Sequence, residues 1–203
     1  MVPVFLASCR YNGTINWIIR TDCGIPINSP ENIKFIPISV SAYIANVSER
    51  LNIKFRPAGN YKICDVKPMC GDLYRDEIAD YDCYGFGDLD IIYGDIRKFY
   101  TDDILSYDVI STHEWMLSGH LTLFKNVDFL RKAYLKIPNW KKYLETPQIT
   151  RFDEDVYSQL FISRFRDLIK RLLPKFFSRA SSCNALMIPM RMILPICGEL
   201  FVS

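Results

Sequence analysis

The sequence predicts a layered α/β fold, because short β-branched and aromatic runs alternate with stretches of helical spacing, and turn residues punctuate the changes of pattern. Thr-Ile-Asn-Trp-Ile-Ile-Arg at 14–20, running into Thr21-Asp22, reads as a buried strand ended by Asp22-Cys23-Gly24. A loop with Pro26, Asn28, Ser29 and Pro30 separates it from a second strand, Ile33 to Ile38. Residues 40–51 place Val40, Tyr43, Ile44, Val47 and Leu51 on one helical face, with Ser39 as N-cap. A second helical pattern covers 61–79 through Val66, Leu73, Tyr74 and Ile78, its regular part starting at Pro68. A strand from Tyr81 to Phe86 runs into Gly87-Asp88-Leu89-Asp90. Val109–Ser111 and His120–Phe124 read as further strands, and 127–135 and 154–173 as helices.

Composition narrows the class. Half the residues are apolar and a quarter charged, the balance of a folded globular chain, which argues against disorder. The formal charge is +2, and its distribution is uneven. From Phe161 onward seven basic residues face two acidic ones, so a slightly acidic body carries a basic tail. Nothing in that body marks a nucleic-acid binder. The seven cysteines, Cys9, Cys23, Cys64, Cys70, Cys83, Cys183 and Cys197, form no CxxC pair. Such scatter fits a reducing compartment better than a disulfide framework or a zinc site. The N-terminal apolar run lacks the basic flank of a signal peptide, and no stretch is apolar enough to span a bilayer. These features place the protein on the cytoplasmic side.

Asp88 and Asp90 are the residues most suited to chemistry. On a strand, positions two apart project from one face. Gly85 and Gly87 allow close backbone approach, and carboxylates at the end of a buried strand sit where open α/β sheets bind ligands. A hard divalent cation takes one or two carboxylates and completes its shell with water and phosphate oxygens. The same letters also fit a turn capped by its own aspartates. Asp95 adds a third carboxylate nearby.

The stretch Tyr61–Phe99, YKICDVKPMCGDLYRDEIADYDCYGFGDLDIIYGDIRKF, resembles the donor-binding core of GT-A glycosyltransferases that assemble bacterial surface polysaccharides. It matches the ordered pattern CD-x-KP followed by YD-x-x-G-x-x-D-x-D-x-x-x-GDI-x-x-F, which is far more specific than Asp-x-Asp alone. Weaker similarity runs from Ser8–Asp22 through Ser118–Asn126 to Phe152-Asp153-Glu154. The resemblance implies a GT-A, Rossmann-like mixed sheet flanked by helices, with Asp88 and Asp90 holding Mn²⁺ or Mg²⁺ against a nucleotide-diphosphate sugar. It implies Asp65 on the donor-sugar hydroxyls and Lys67 near the diphosphate, roles that suit a carboxylate and a compact ammonium. Without it, both would read as a solvated helix face. Thr21 and Asp22 match the nucleotide end of the crevice.

An inverting transferase needs a base for the acceptor hydroxyl, and Asp153 and Glu154, followed by Asp155, are the candidates. Acidic residues in a first helical turn also simply favour the helix dipole. Gly119-His120 is the candidate acceptor side. The implied domain spans 1–160; residues 161–203 form a basic amphipathic helix and an apolar tail. In the helix, Phe161, Phe165, Leu168, Ile169, Leu172 and Phe176 share one face, and basic side chains cover the rest. Such a helix docks on anionic lipid at roughly 1 kcal/mol per basic residue, at the inner face of the membrane where lipid-linked acceptors lie. It also fits as a helix packed on the domain with its charges solvated.

GT-A domains open with a strand and loop for the nucleotide base, whereas this chain starts at what resembles the helix after that strand. The implied fold therefore lacks the first nucleotide-binding strand. The expected function is hexose transfer to a glycan or lipid-linked acceptor in surface-polysaccharide synthesis. The alternatives are a truncated, inactive glycosyltransferase-like protein and, more weakly, a metal-dependent phosphohydrolase.

Overall fold

Helix α1 (Val2–Tyr11) buries Phe5, Leu6 and Cys9, one apolar stripe at helical spacing. This computed structural model describes residues 2–113, 115–161, 185–187 and 199–200. The stripe is held in place by Asn12 just past the helix. Its amide Nδ2 donates to the carbonyls of Ser8 (2.9 Å) and Gly94 (2.8 Å), and its Oδ1 accepts from the Ile96 N–H at 2.9 Å. Strand β1 (Trp17–Thr21) follows and pairs in parallel with β2 (Ile33–Pro37), Trp17 opposite Ile33. Helix α2 (Val40–Leu51) has the expected bounds. The Ser39 hydroxyl accepts from the Ala42 N–H, and Asn52 ends the helix in the left-handed region at φ 51°.

The pattern over 61–79 is not one helix. A 3₁₀ segment runs from Asn60 to Met69 with Pro68 inside it, and only α3 (Cys70–Leu73) is α-helical before turns lead to the next strand. Proline lacks an N–H and crowds the preceding turn, which disfavours a continuous α ladder there. Strand β3 (Cys83–Gly87) follows, then the short helices α4 (Ile96–Phe99) and α5 (Asp102–Leu105), β4 (Val109–Ser111) and β5 (Leu121–Lys125). After these come α6 (Asp128–Arg131), a 3₁₀ turn Ala133–Lys136 and α7 (Trp140–Glu145). The expected helix at 154–173 begins instead as a π turn, Phe152–Val156, and a 3₁₀ turn, Tyr157–Leu160. Its remainder, with the amphipathic stretch after Phe161, lies outside the described residues.

Strand β5 is central to the second sheet, antiparallel to β3 on one side and to β4 on the other. The short strand β6 (Ala185–Met187) pairs in parallel with β4, and β7 (Glu199–Leu200) in parallel with β1. The architecture is thus mixed α/β. Alternation along the strands divides the core into two layers. Trp17, Ile19, Ile110 and Leu121 join the α1 and α4 side chains, while Tyr84, Phe86, Val109 and Phe124 join those of α2 and α3. Arg20 ties β1 to the second layer, pairing with Glu77 at 2.7 Å and lying 3.4 Å from the centre of the Tyr74 ring. Among the described residues no helix is long and apolar enough to cross a membrane, and Cys9, Cys23, Cys64, Cys70 and Cys83 form no disulfide with one another.

Gly85 permits the approach of β3 to β5. A Cβ there would be driven into the backbone carbonyl oxygen of Thr122 and to 2.6 Å from Leu123 Cδ2. Backbone cannot swing aside as a side-chain tip can. Gly85→Ala is therefore expected to cost about 1–3 kcal/mol in urea unfolding, while Gly24→Ala, with nothing within 4 Å of the new methyl, leaves the midpoint almost unchanged.

Candidate functional site

Asp88 follows the last residue of β3, so Asp88 and Asp90 lie in the bend beyond the strand and not on its pleat. The two aspartates differ accordingly. Asp88 is partly buried and both of its oxygens are engaged: Lys67 Nζ lies 2.5 Å from Oδ1 and His120 Nδ1 2.9 Å from Oδ2. Asp90 is exposed. Asp95, the third carboxylate of the motif, is the N-cap of α4, its Oδ1 accepting from the Lys98 N–H at 3.2 Å. Among the described residues no cluster of three His, Cys, Asp or Glu side chains is disposed to hold a metal ion.

Gly119 marks the centre of the site. A Cβ placed on it would lie 3.0 Å from Glu154 Oε1 and 3.7 Å from both Asp88 Oδ2 and Lys67 Nζ. Four positions far apart in sequence therefore converge: Lys67 from the 3₁₀ segment, Asp88 after β3, Gly119-His120 before β5, and Glu154 from the π turn. Lys67 also approaches the Gly119 carbonyl at 3.4 Å. Burial works against its ammonium form, but the Cys64 sulfur once ionised and the Asp88 and Asp153 carboxylates outweigh that and hold its pKa above the ordinary lysine value. Lys67 is a cation at neutral pH. Cys64 is held as a thiol, since burial pushes it up to about 11 against the opposing pull of Lys67.

Asp65 occupies a different place from the one the resemblance implies. Its carboxylate is fully buried and already accepts four hydrogen bonds from the chain. Lys62 Nζ donates to Oδ2 at 2.7 Å, and the Thr150 N–H and hydroxyl each reach that oxygen at 2.8 Å. The Phe152 N–H donates to Oδ1 at 2.8 Å. Between the two clamped amides, Arg151 sits at φ 50°, ψ 42°, a conformation costly for a non-glycine residue. Its guanidinium pairs with Glu154 at 3.0 Å and Asp155 at 3.2 Å. Asp65 thus serves as a strut that turns the chain sharply at 150–152 and presents the following carboxylates.

Asp153, the first of these, is buried. Burial, opposed by Lys67 and reinforced by Glu154, raises its pKa to about 7. A carboxyl that titrates near neutrality is suited to exchange protons at working pH. Thr21 and Asp22 stand apart. The Thr21 hydroxyl accepts from the Cys23 N–H at 3.0 Å, and exposed Asp22 lies 3.7 Å from the Cys23 sulfur. Neither shares a hydrogen bond or ion pair with the Lys67–Asp88–His120 group among the described residues. A separate cavity of about 480 Å³ opens between β1 and β3, lined by Trp17, Tyr84, Tyr100 and Leu123 among others. It contains none of the converging polar groups.

Lys62, Arg151 and Trp115 belong to no motif in the sequence, whereas Gly119 stands in the Gly119-His120 step expected on the acceptor side. Lys62 and Arg151 looked like ordinary surface charges because only the fold brings them to Asp65 and Glu154. The legible signals were the unusual -Ser-Gly-His- step before a strand and the acidic run after an Arg-Phe pair.

The fold and site define a mixed α/β protein with a carboxylate–lysine–histidine cluster beyond a strand end. The chain belongs to a family of unknown function (DUF6625), whose model matches residues 1–185. No curated protein and no solved structure matches it.

Two outcomes follow from the carboxylates. Removing Asp65 leaves the nearly inaccessible Lys62 ammonium unpaired, and Asp65→Ala should cost about 3–5 kcal/mol in urea unfolding. Asp153 has the opposite sign from a salt-bridged aspartate. Because the folded chain holds its proton up to about pH 7 and the unfolded chain releases it near the ordinary 3.8, the folded state binds more protons between those values. Stability should fall as pH rises from 4 to 7 and level off above, and Asp153→Asn should flatten that slope in urea midpoints measured across the range.

Proposed function

We propose that this site binds the diphosphate of a nucleotide-diphosphate sugar and that the protein is a metal-dependent glycosyltransferase of the GT-A kind. The observation that carries the reading is the convergence of Lys67, Asp88, Glu154 and His120 around Gly119. A buried-edge ammonium suits a phosphate, and adjoining carboxylates suit a cation and a hydroxyl proton. Asp88 and Asp90 are hard oxygen donors, the set that Mg²⁺ or Mn²⁺ takes when phosphate and water complete its shell, so the residues fit such an ion. Bound there, the ion would neutralise charge on the departing diphosphate. Lys67 holds one Asp88 oxygen and His120 Nδ1 lies against the other, so an ion held by Asp88 would leave the Lys67 ammonium to a phosphate.

In the transfer, the acceptor hydroxyl oxygen bonds to the anomeric carbon while the bond from that carbon to the phosphate oxygen breaks. The electron pair leaves on the nucleoside diphosphate. The hydroxyl proton goes to Asp153 or Glu154, and His120 lines the acceptor side. The acceptor class is a glycan or lipid-linked sugar, handled on the cytoplasmic side of the membrane.

A second reading, a folded member that does not bind donor, is favoured by one feature: both Asp88 oxygens are satisfied without any ligand. Thermal unfolding in the presence of a panel of nucleotide sugars separates the two. A donor bound at 100 times its Kd stabilises by about 2.7 kcal/mol, so at least one sugar nucleotide should raise the Tm with Mn²⁺ present and lose the effect in EDTA. Asp88→Asn should abolish that rise while leaving the ligand-free Tm within a few degrees. No stabilisation by any sugar nucleotide with metal would leave the inactive reading standing.

A further inference from the structure

We infer that His113, Trp115 and His120 form a stacking platform for a neutral sugar ring on the acceptor side of the site, with Trp115 as its outer face. Trp115 is 69% exposed, a large apolar surface left open beside a polar cluster. Its ring stacks on His113 with centroids 5.6 Å apart and planes 27° from parallel, and His113 lies 6.0 Å from His120. The ridge of three rings ends at Asp88, where His120 Nδ1 meets the carboxylate. A flat aromatic face accepts the C–H face of a pyranose and leaves the sugar's hydroxyls to neighbouring polar groups.

The surroundings select the ligand class. Glu154 reaches Gly119, the residue next to His120, and its carboxylate is an acceptor suited to sugar hydroxyls. A nucleobase could also stack on indole, but its phosphates lack the hydroxyl donors that a nearby carboxylate accepts, whereas a neutral glycan brings them. The Ser111 hydroxyl braces residues on either side of the rings: its Oγ accepts from the N–H groups of Ser118 (2.8 Å) and His113 (3.5 Å) and donates to the Met116 carbonyl at 3.2 Å.

This inference rests on the glycosyltransferase reading for its acceptor role, but its test needs neither metal nor donor. The full chain, labelled with ¹⁵N at tryptophan, is titrated with methyl β-galactoside, methyl β-glucoside and, separately, uridine monophosphate. The Trp115 indole signal is identified by its loss in Trp115→Phe. Expected is a saturable shift of that signal with at least one glycoside and none with the nucleotide. Affinity for that glycoside, followed by calorimetry, should fall about tenfold in Trp115→Ala and be largely kept in Trp115→Phe. An unmoved Trp115 signal at the glycosides' solubility limit overturns the platform, and a shift with uridine monophosphate alone reassigns it to a base and overturns it equally. Glycoside binding without any metal-dependent donor binding would sink the transferase reading and leave the platform in place.

Discussion

A single buried carboxylate governs how the candidate site is assembled. Asp65 is shut away from water and carries a charge, which is tolerable only because Lys62 and three donors of the 150–152 segment satisfy it. Those donors come from residues more than eighty positions away. The same contacts that neutralise the cost of burial therefore stitch the late segment to the early one. They also hold Arg151 in a left-handed conformation that it would not adopt unassisted. The chain turns there, and Asp153 and Glu154 emerge next to Lys67.

From this follows an arrangement of charge with two parts. Asp65 is paired and inert. Close to it in the chain, Lys67 pairs with Asp88 and feels the charge of Asp153, with Glu154 close by at Gly119. Asp153 is the member that burial forces toward neutrality, so the cluster need not carry every negative charge at once. Glu154 shares its charge with Arg151. The result is a group of polar side chains near electrical balance, held by backbone from both core layers. A ligand bearing phosphate would shift that balance toward Lys67, and a cation would shift it toward Asp88. Sites with such opposed partners are suited to ligands that bring both signs.

Sequence alone made much of the fold legible where periodicity and capping agree. Ser39 and the four-residue spacing of Tyr43, Val47 and Leu51 define α2 to its ends, since the cap and the apolar stripe are both local properties. Val109–Ser111 is likewise a short run of residues that fit only a buried strand. The 61–79 region misled because apolar spacing near 3.6 does not distinguish α from 3₁₀ geometry, and Pro68 sits inside the tighter form. Of the candidate site, Asp88 and Lys67 were legible through their motif and do meet. Asp65 was legible as important, but its burial depends on Lys62 and Thr150, whose approach is a property of the whole fold. Asp95 looked like a third site carboxylate, yet the helix that begins at Ile96 claims it as a cap.

Why the site lies where it does can be argued from the strands. β3 carries Gly85, whose lack of a side chain lets it lie tight against β5. That closeness brings the end of β3 beside the start of β5, because antiparallel strands place the exit of one next to the entry of the other. Asp88 leaves β3 where Gly119-His120 enters β5, and the Gly87–Leu121 pair sits at that rim. Gly119 has no side chain to fill the space between them, so the tips of Lys67 and Glu154 can approach it. The convergence is therefore a consequence of strand pairing and glycine placement as much as of the charged residues themselves. A larger residue at Gly119 would keep every charge in the sequence and still separate the groups that now meet.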